Sequence, residues 1–317
     1  MLAPQRHGSN KTQSMLASNH PDLFGPYPPV PRQAFMKLQN TLNGELLSAM
    51  VHNANLSPRP LVADGRPLDT GALQALMQRR DLPEDALGIS IALTLLAAEE
   101  SGHPEARILC KSPDNLDIVE AHLERLDDSA FVHVIRDPRA VWNSGRGTPR
   151  GPQSPHGAAL KWADYHSRVL KLGRVVPILT LRYEDLMTQP ETELRRACDF
   201  LDIPFEAAML EDHGAAAMKQ AAEKNPGLWG NLAKPIQHDR ITAWSRELPS
   251  DEIDIIDNTC RDVMARFGYE PMFDARPLTA EDRACQPDTP PPPPGAEPRR
   301  EQLDHIAELK ASSAKIA

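Results

Sequence analysis

Between Phe131 and Ser144 the chain reads Phe-Val-His-Val-Ile-Arg-Asp-Pro-Arg-Ala-Val-Trp-Asn-Ser, and no other stretch leaves the fold so few choices. Phe131–Ile135 is an apolar, β-branched run of the length of a buried strand. It stops at Arg136-Asp137-Pro138. Pro138 has no N–H for a ladder, but its fixed φ suits the first turn of a helix, and Asp137 is a good N-cap. A helix is therefore expected from Pro138 through Val141 and Ser144. A strand that ends at a helix N-terminus offers backbone N–H groups and the positive end of a dipole to an anion. Arg136 adds a planar fork for its oxygens. The plainer alternative is that Arg136 and Asp137 pair with each other on an ordinary turn.

A second stretch has the same grammar. Leu179-Thr-Leu181-Arg182-Tyr183-Glu184-Asp185-Leu186 is a short strand ending in Tyr-Glu-Asp-Leu. The segment from Pro190 to Leu201 follows as a helix with acids in its first turn, and Asp202-Ile-Pro-Phe205 closes it. Together the two stretches resemble the sulfotransferases that use 3′-phosphoadenosine-5′-phosphosulfate (PAPS). The resemblance covers roughly Ile108 to Tyr269. It implies an α/β three-layer sandwich with a central parallel sheet, like that of P-loop nucleotide hydrolases. In that family Arg136 and Ser144 would hold the 3′-phosphate, and Tyr183 would lie near the adenine or order its loop. Three runs, Arg107–Cys110, Phe131–Ile135 and Pro177–Leu181, are the expected strands. Each precedes a helical segment, and such alternation calls for parallel pairing.

The resemblance also reaches the N-terminus. Gly8, Lys11, Thr12, Ser14 and Leu16 fit a phosphosulfate loop of the type Gly-x-x-Lys/Arg-Thr/Ser-Gly-Thr-Thr/Ser-Leu, ahead of His20-Pro-Asp-Leu. The match implies that Lys11 faces the sulfonate and that Thr12 and Ser14 bind the cofactor. Three departures set it apart. Gln13 stands where the family has glycine, no apolar strand is apparent before Gly8, and the gap from Leu16 to His20 is short for a helix. A weakened but recognisable loop is the expectation.

Lys111 follows the Arg107–Cys110 strand, where open α/β sheets place ligand groups. By resemblance it too faces the transferring sulfonate, although a lysine there can equally be a surface residue. Asn231 and Lys234, in Asn-Leu-x-Lys-Pro, are cofactor contacts by the same resemblance. A base must take the acceptor proton. His20, Asp22, Glu99 and Glu100 are candidates, with His20 placed first; for Glu99 and Glu100 the plainer reading is a solvated helix end.

The remaining chain is helical and soluble in character. Spaced apolar residues suggest helices within Phe35–Asn55, Gly71–Arg80, from Pro83 to Glu100, and along His156–Leu172, 206–224 and Trp244–Phe267. At 317 residues the chain can bury one sizeable core or two small ones. No run approaches a membrane span, and no charged segment followed by an apolar one opens the chain, so cytoplasm is expected. A net charge of −9 argues against nucleic acid as a partner. Four scattered cysteines argue against a disulfide framework or a metal site. Proline, 31 in all, marks residues 273–298 as a linker between a domain over 1–272 and a short helical or disordered tail over 299–317, which as a helix would be loosely held or serve for docking.

Three functions remain open. A sulfotransferase would move a sulfonate from PAPS to a hydroxyl or amine of a small-molecule, glycan or peptide acceptor, without a metal. A non-catalytic scaffold would have lost the N-terminal loop. A nucleotide kinase would need the full Gly-Lys-Ser/Thr of a Walker loop, which Gly8–Ser14 lacks.

Overall fold

A computed structural model describes residues 1–25, 30–42, 44–57, 61–62, 66–148, 153–211, 238–284 and 300–313. Its elements, in chain order, are α1 (Ser9–Ala17), β1 (Leu23–Phe24), α2 (Arg32–Leu42), α3 (Leu46–Asn55), α4 (Thr70–Arg79), α5 (Ala86–Glu100), β2 (Arg107–Ile108), α6 (Asn115–His122), β3 (Phe131–Ile135), α7 (Pro138–Gly145), α8 (Pro155–Leu172), β4 (Ile178–Arg182), α9 (Tyr183–Thr188), α10 (Pro190–Leu201), α11 (Trp244–Glu247), α12 (Ser250–Arg266) and α13 (Arg300–Ser313). They fall into two compact units. The first comprises Met1–Thr12, Val119–Pro204 and Pro235–Ala296, the second Gln13–Ile118, Phe205–Lys234 and Glu297–Ala317. Of the helix expected over 206–224, the described part is a short 3-10 turn at Ala207–Leu210; the stretch after Glu211 lies outside the described residues.

In the first unit β3 and β4 pair in parallel, from Phe131 opposite Ile178 to Ile135 opposite Arg182. Every residue of β3 is buried, its four apolar side chains and His133 alike. Where no strand was expected, the first residues join the sheet. Leu2 N–H donates to Val132 O at 2.7 Å, and Leu2 O accepts from Val134 N–H at 2.9 Å. One bridging residue leaves no alternation to detect, which is why the sequence hides it. At the other end of β3, Asp137 caps α7, accepting the Arg139 N–H at 2.9 Å. Its carboxylate also binds Arg139 Nε at 2.9 Å and Nη2 at 2.7 Å. Asp137 thus pairs with Arg139 and leaves Arg136 unneutralised. A core of Ile135, Val141, Trp142, Trp162, Ile256 and Met264 holds the helices together.

The second unit is mainly helical. Phe35, Met50, Leu73, Leu93 and Ile306 belong to one core. Helix α5 is apolar on nearly every side and accordingly buried, and Asp85 caps it by accepting the Gly88 N–H at 2.8 Å. Strands β1 and β2 pair in parallel over two residues each. The described pairings therefore make two short sheets, one in each unit, both parallel as expected. Helix α13 is held firmly, because Gln302 Nε2 donates to Asn53 O at 2.7 Å and Asn53 Nδ2 donates back to Gln302 O at 2.9 Å. Ile306 is buried in the same core. Among the described residues no helix is long and apolar enough to cross a membrane.

Candidate active site

The N-terminal strand residue leads into a tight turn. Arg6 has φ +69° and Gly8 φ +80°, and α1 begins at Ser9. Glycine is required at position 8 on two counts. Its φ lies in the left-handed region, and an added Cβ would stand 2.2 Å from Tyr183 Cδ2 and 2.3 Å from Cε2. Thr12 closes the first helical turn, its N–H reaching Gly8 O at 3.0 Å and its hydroxyl the same oxygen at 3.3 Å. The loop thus lies upstream of the register read from the sequence. Lys11, Thr12, Gln13 and Ser14 are all within α1. A helical position needs no positive φ, so Gln13 costs nothing where a loop would need glycine. Its amide instead donates to Leu109 O at 3.1 Å.

Two arginines meet at this turn. Arg6 Nε and Nη2 donate to Ser144 Oγ at 3.2 and 2.9 Å, and Nη2 also reaches Ser144 O at 2.5 Å. Arg136 Nη1 donates to Arg6 O at 3.4 Å, and Nη2 to Arg240 O at 3.4 Å. The Arg136 guanidinium lies over the Tyr183 ring, 4.6 Å from its centroid. Arg136 is buried, and its Nε has no hydrogen-bond partner among the described residues. The bonds of both arginines go to a hydroxyl, to carbonyls and to a ring face, none to a carboxylate. Burial, and then the charge of Arg136, hold Arg6 below its ordinary pKa. Among the described residues neither cation has a carboxylate partner, and both lie near the N-termini of α1 and α7, an arrangement with the charge and donors an oxyanion would need to relieve burial and repulsion.

A model of the sulfotransferase family matches residues 1–207. The chain belongs to the sulfotransferase family. A sulfotransferase-domain model also matches residues 156–268. In structure the chain is similar to the sulfotransferase domain of the Synechococcus PCC 7002 olefin synthase, with a TM-score of 0.57, 22% identity, and coverage of 85% of this chain and 93% of that one. It is also similar to the sulfotransferase domain of the curacin biosynthetic pathway, with a TM-score of 0.53, 22% identity, and coverage of 85% and 96%. Among curated relatives, protein-tyrosine sulfotransferase A of Caenorhabditis elegans is 27% identical over 93 residues, 29% of this chain and 24% of that protein. Carbohydrate sulfotransferase 1 of Rattus norvegicus is 22% identical over 224 residues, 63% of this chain and 53% of that protein. The chain thus spans between about a quarter and about half of these two relatives.

Within this sulfotransferase the residues singled out from sequence are distributed unevenly. Arg136, Ser144 and Tyr183 come together in the first unit with Gly8 and Arg6. The Ser144 hydroxyl is engaged by Arg6, and Tyr183 packs on the turn that Gly8 opens. Lys11 sits in the first turn of α1, partly exposed. Thr12 is wholly buried and turned to Gly8. Ser14, His20 and Lys111 belong to the second unit, all buried. Ser14 Oγ lies 3.0 Å from Ser18 Oγ. His20 Nδ1 accepts the Asp22 N–H at 3.1 Å, so its ring ties down the turn that follows. Glu99 pairs with Arg79 at 2.8 Å and Glu100 with Arg66 at 2.5 Å, the behaviour of a solvated helix end. Asn231 and Lys234 lie outside the described residues.

Three residues escaped the sequence reading. Arg6 could have been found as an arginine two residues before a glycine, after the apolar Met1-Leu2-Ala3. Glu184 joins the end of β4 to the end of β3. Its carboxylate accepts the Asp137 N–H at 3.0 Å and the Tyr269 hydroxyl at 2.8 Å. In the second unit, buried Arg32 reaches Ser90 Oγ at 2.7 Å, Asn115 Oδ1 at 2.9 Å and Cys110 Sγ at 3.2 Å. It thereby fixes the segment that carries Lys111. No local pattern marks Glu184 or Arg32, because their partners are distant in sequence.

Proposed function

We propose that this protein transfers a sulfonate group from PAPS to a hydroxyl or amine of an acceptor. The observation that carries the reading is the pair Arg6 and Arg136, uncompensated by carboxylate, with Arg136 Nε buried and unpartnered. A dry guanidinium without a counter-charge is costly unless a ligand supplies one. A 3′-phosphate has the charge and the acceptor oxygens to do so, with Arg136 as the main donor and Arg6, oriented by Ser144, beside it. Tyr183 lies under the Arg136 guanidinium and against Gly8. PAPS brings the activated sulfonate. The chain's part is to hold fixed donors around charge that builds on sulfonate oxygens as the S–O bond changes hands. In the first unit Lys11 and the N-terminal amides of α1 are the groups we assign to that work; for Lys111 the assignment rests on the family resemblance alone.

The scaffold alternative was motivated by the missing strand and by Gln13. Leu2 and the helical setting of Gln13 remove both motives. The names of the relatives make a peptide tyrosine or a carbohydrate hydroxyl the acceptors to test first. The deciding experiment is calorimetry with adenosine 3′,5′-bisphosphate, followed by transfer from PAPS to a tyrosine peptide and to an oligosaccharide. Tight binding of the bisphosphate with weak binding of ADP and ATP is expected. No binding would refute the assignment.

A further inference from the structure

Three histidines far apart in sequence form one buried chain that starts at the anion-binding turn. His7 Nδ1 lies 2.9 Å from Gln5 O, and His7 Nε2 lies 3.0 Å from His166 Nε2. His166 Nδ1 lies 2.9 Å from His133 Nε2, and His133 Nδ1 lies 3.1 Å from Thr180 Oγ1. All three rings are buried, at 2%, 0% and 0% exposure for His7, His133 and His166. Rings of Trp162, Tyr165 and Phe267 surround His166, with centroids at 4.6, 5.5 and 5.8 Å.

The geometry orders the protons from end to end. A carbonyl can only accept, so His7 Nδ1 donates to Gln5 O and His7 Nε2 accepts. His166 Nε2 must then donate and its Nδ1 accept, which makes His133 Nε2 a donor and His133 Nδ1 the acceptor of the Thr180 hydroxyl. Every ring is neutral, and every polar atom is used once. Burial favours this state, with His7 drawn down to about 4 and His133 to about 3. His166 is likewise held well below its ordinary value, first by burial and then by its two histidine neighbours. The charged side chain that bears on the chain is Arg136, which disfavours a proton on His7.

We propose that His133 and His166 are positioning residues for the Arg6–Gly8 turn, acting through His7 to hold the backbone that presents Arg6 and the N-terminus of α1. A non-glycine residue at positive φ, here Arg6, persists only where its surroundings over-determine it. The two ring bonds of His7, the residue between Arg6 and Gly8, supply that constraint. Protonating His7 or His166 sets two N–H groups against each other and breaks the chain, whereas a proton on His133 Nδ1 only reverses its bond with the Thr180 hydroxyl. The rings are harder to protonate when the turn is closed than when it is open. The closed turn is therefore fully favoured above about pH 6.5, the ordinary histidine value, and loses ground as pH falls toward about 4.

This inference rests on the anion-binding reading of the turn, and two readouts separate them. The first is hydrogen exchange of the Arg6–Ser9 amides in the unliganded protein. The second is affinity for adenosine 3′,5′-bisphosphate from pH 7.5 to 5. His166→Leu should speed exchange of the turn and weaken affinity about tenfold, because it leaves two buried ring nitrogens unpaired. His166→Gln, whose amide can both accept and donate, should restore most of both. As pH falls, affinity should drop more steeply in the parent than in His166→Gln, by up to ~tenfold per pH unit for the one ring removed. Protonation of the ligand cancels in that ratio. If His166→Leu does not fold, this ratio decides alone, and identical profiles overturn the proposal. Unmoved exchange and affinity in a folded His166→Leu overturn it as well. If the parent does not bind the bisphosphate but turn exchange responds as stated, the anion reading falls and the positioning role stands.

Discussion

Replacing Gly8 by alanine tests the turn where the structure leaves it least room. The new methyl carbon would stand 2.2 Å from Tyr183 Cδ2 and 2.3 Å from Cε2, at a φ of +80°. The left-handed backbone alone costs a side chain about 1–2 kcal/mol. Tyr183 must also leave its place under the Arg136 guanidinium, 4.6 Å away, and a contact of that kind is worth about 0.5–2 kcal/mol. The sum is about 1.5–4 kcal/mol of stability, and the nucleotide site should be disordered in what remains folded. Gly268→Ala is the internal control, since Gly268 has φ +72° but its added Cβ would meet Arg182 Nη1 only at 3.7 Å. It should cost the backbone term, about 1–2 kcal/mol. Urea unfolding followed by tryptophan fluorescence compares the two, since Trp142, Trp162 and Trp244 lie in the same unit. In a Tyr183→Ala background Gly8→Ala should fall to the cost of the control, because the obstructing ring is gone. Equal losses for Gly8→Ala and Gly268→Ala, with additive behaviour in the double variant, would refute the reasoning.

Other perturbations probe separate parts. Arg136→Ala should weaken adenosine 3′,5′-bisphosphate binding by about 2–3 kcal/mol and Ser144→Ala by about 1 kcal/mol, as titration calorimetry will show. Lys111→Ala should lower turnover far more than it raises the apparent KM for PAPS, since it is assigned to charge that develops in the transition state. Burial lifts the Glu184 carboxyl above its ordinary 4.5, so the folded state holds that proton more tightly than the unfolded chain. Stability should therefore fall as pH rises through that range, and Glu184→Gln should remove this component from the unfolding curve measured against pH. Ile306→Ala should cost about 2–5 kcal/mol in thermal or urea unfolding, because α13 is part of a core.

The strand–turn–helix around Arg136 was legible because its causes are local. An apolar run, a capping aspartate and a proline at the first helical position act within a few residues. The extents of α4 and α8 were readable to within a residue from apolar spacing, whereas α5 starts at Ala86, after the expected Pro83. Even there, the partner of Asp137 was settled by geometry, which gave Arg139 both carboxylate oxygens and left Arg136 without a carboxylate among the described residues. The N-terminal loop was legible only as a resemblance, and in a shifted register. Its strand is one bridging residue, and its need for glycine comes from the Tyr183 ring, far along the chain. A backbone position is constrained by what packs against it, and periodicity carries no record of that. The histidine chain shows the limit most plainly. Residues 7, 133 and 166 have no spacing to notice, and each alone reads as an ordinary buried or surface histidine. Composition and local pattern determined which segments become helix and strand and where a cation would stand at a strand end. Only folding decided which of those cations lack a counter-charge, because burial and neighbourhood, unlike propensity, are properties of the assembled chain.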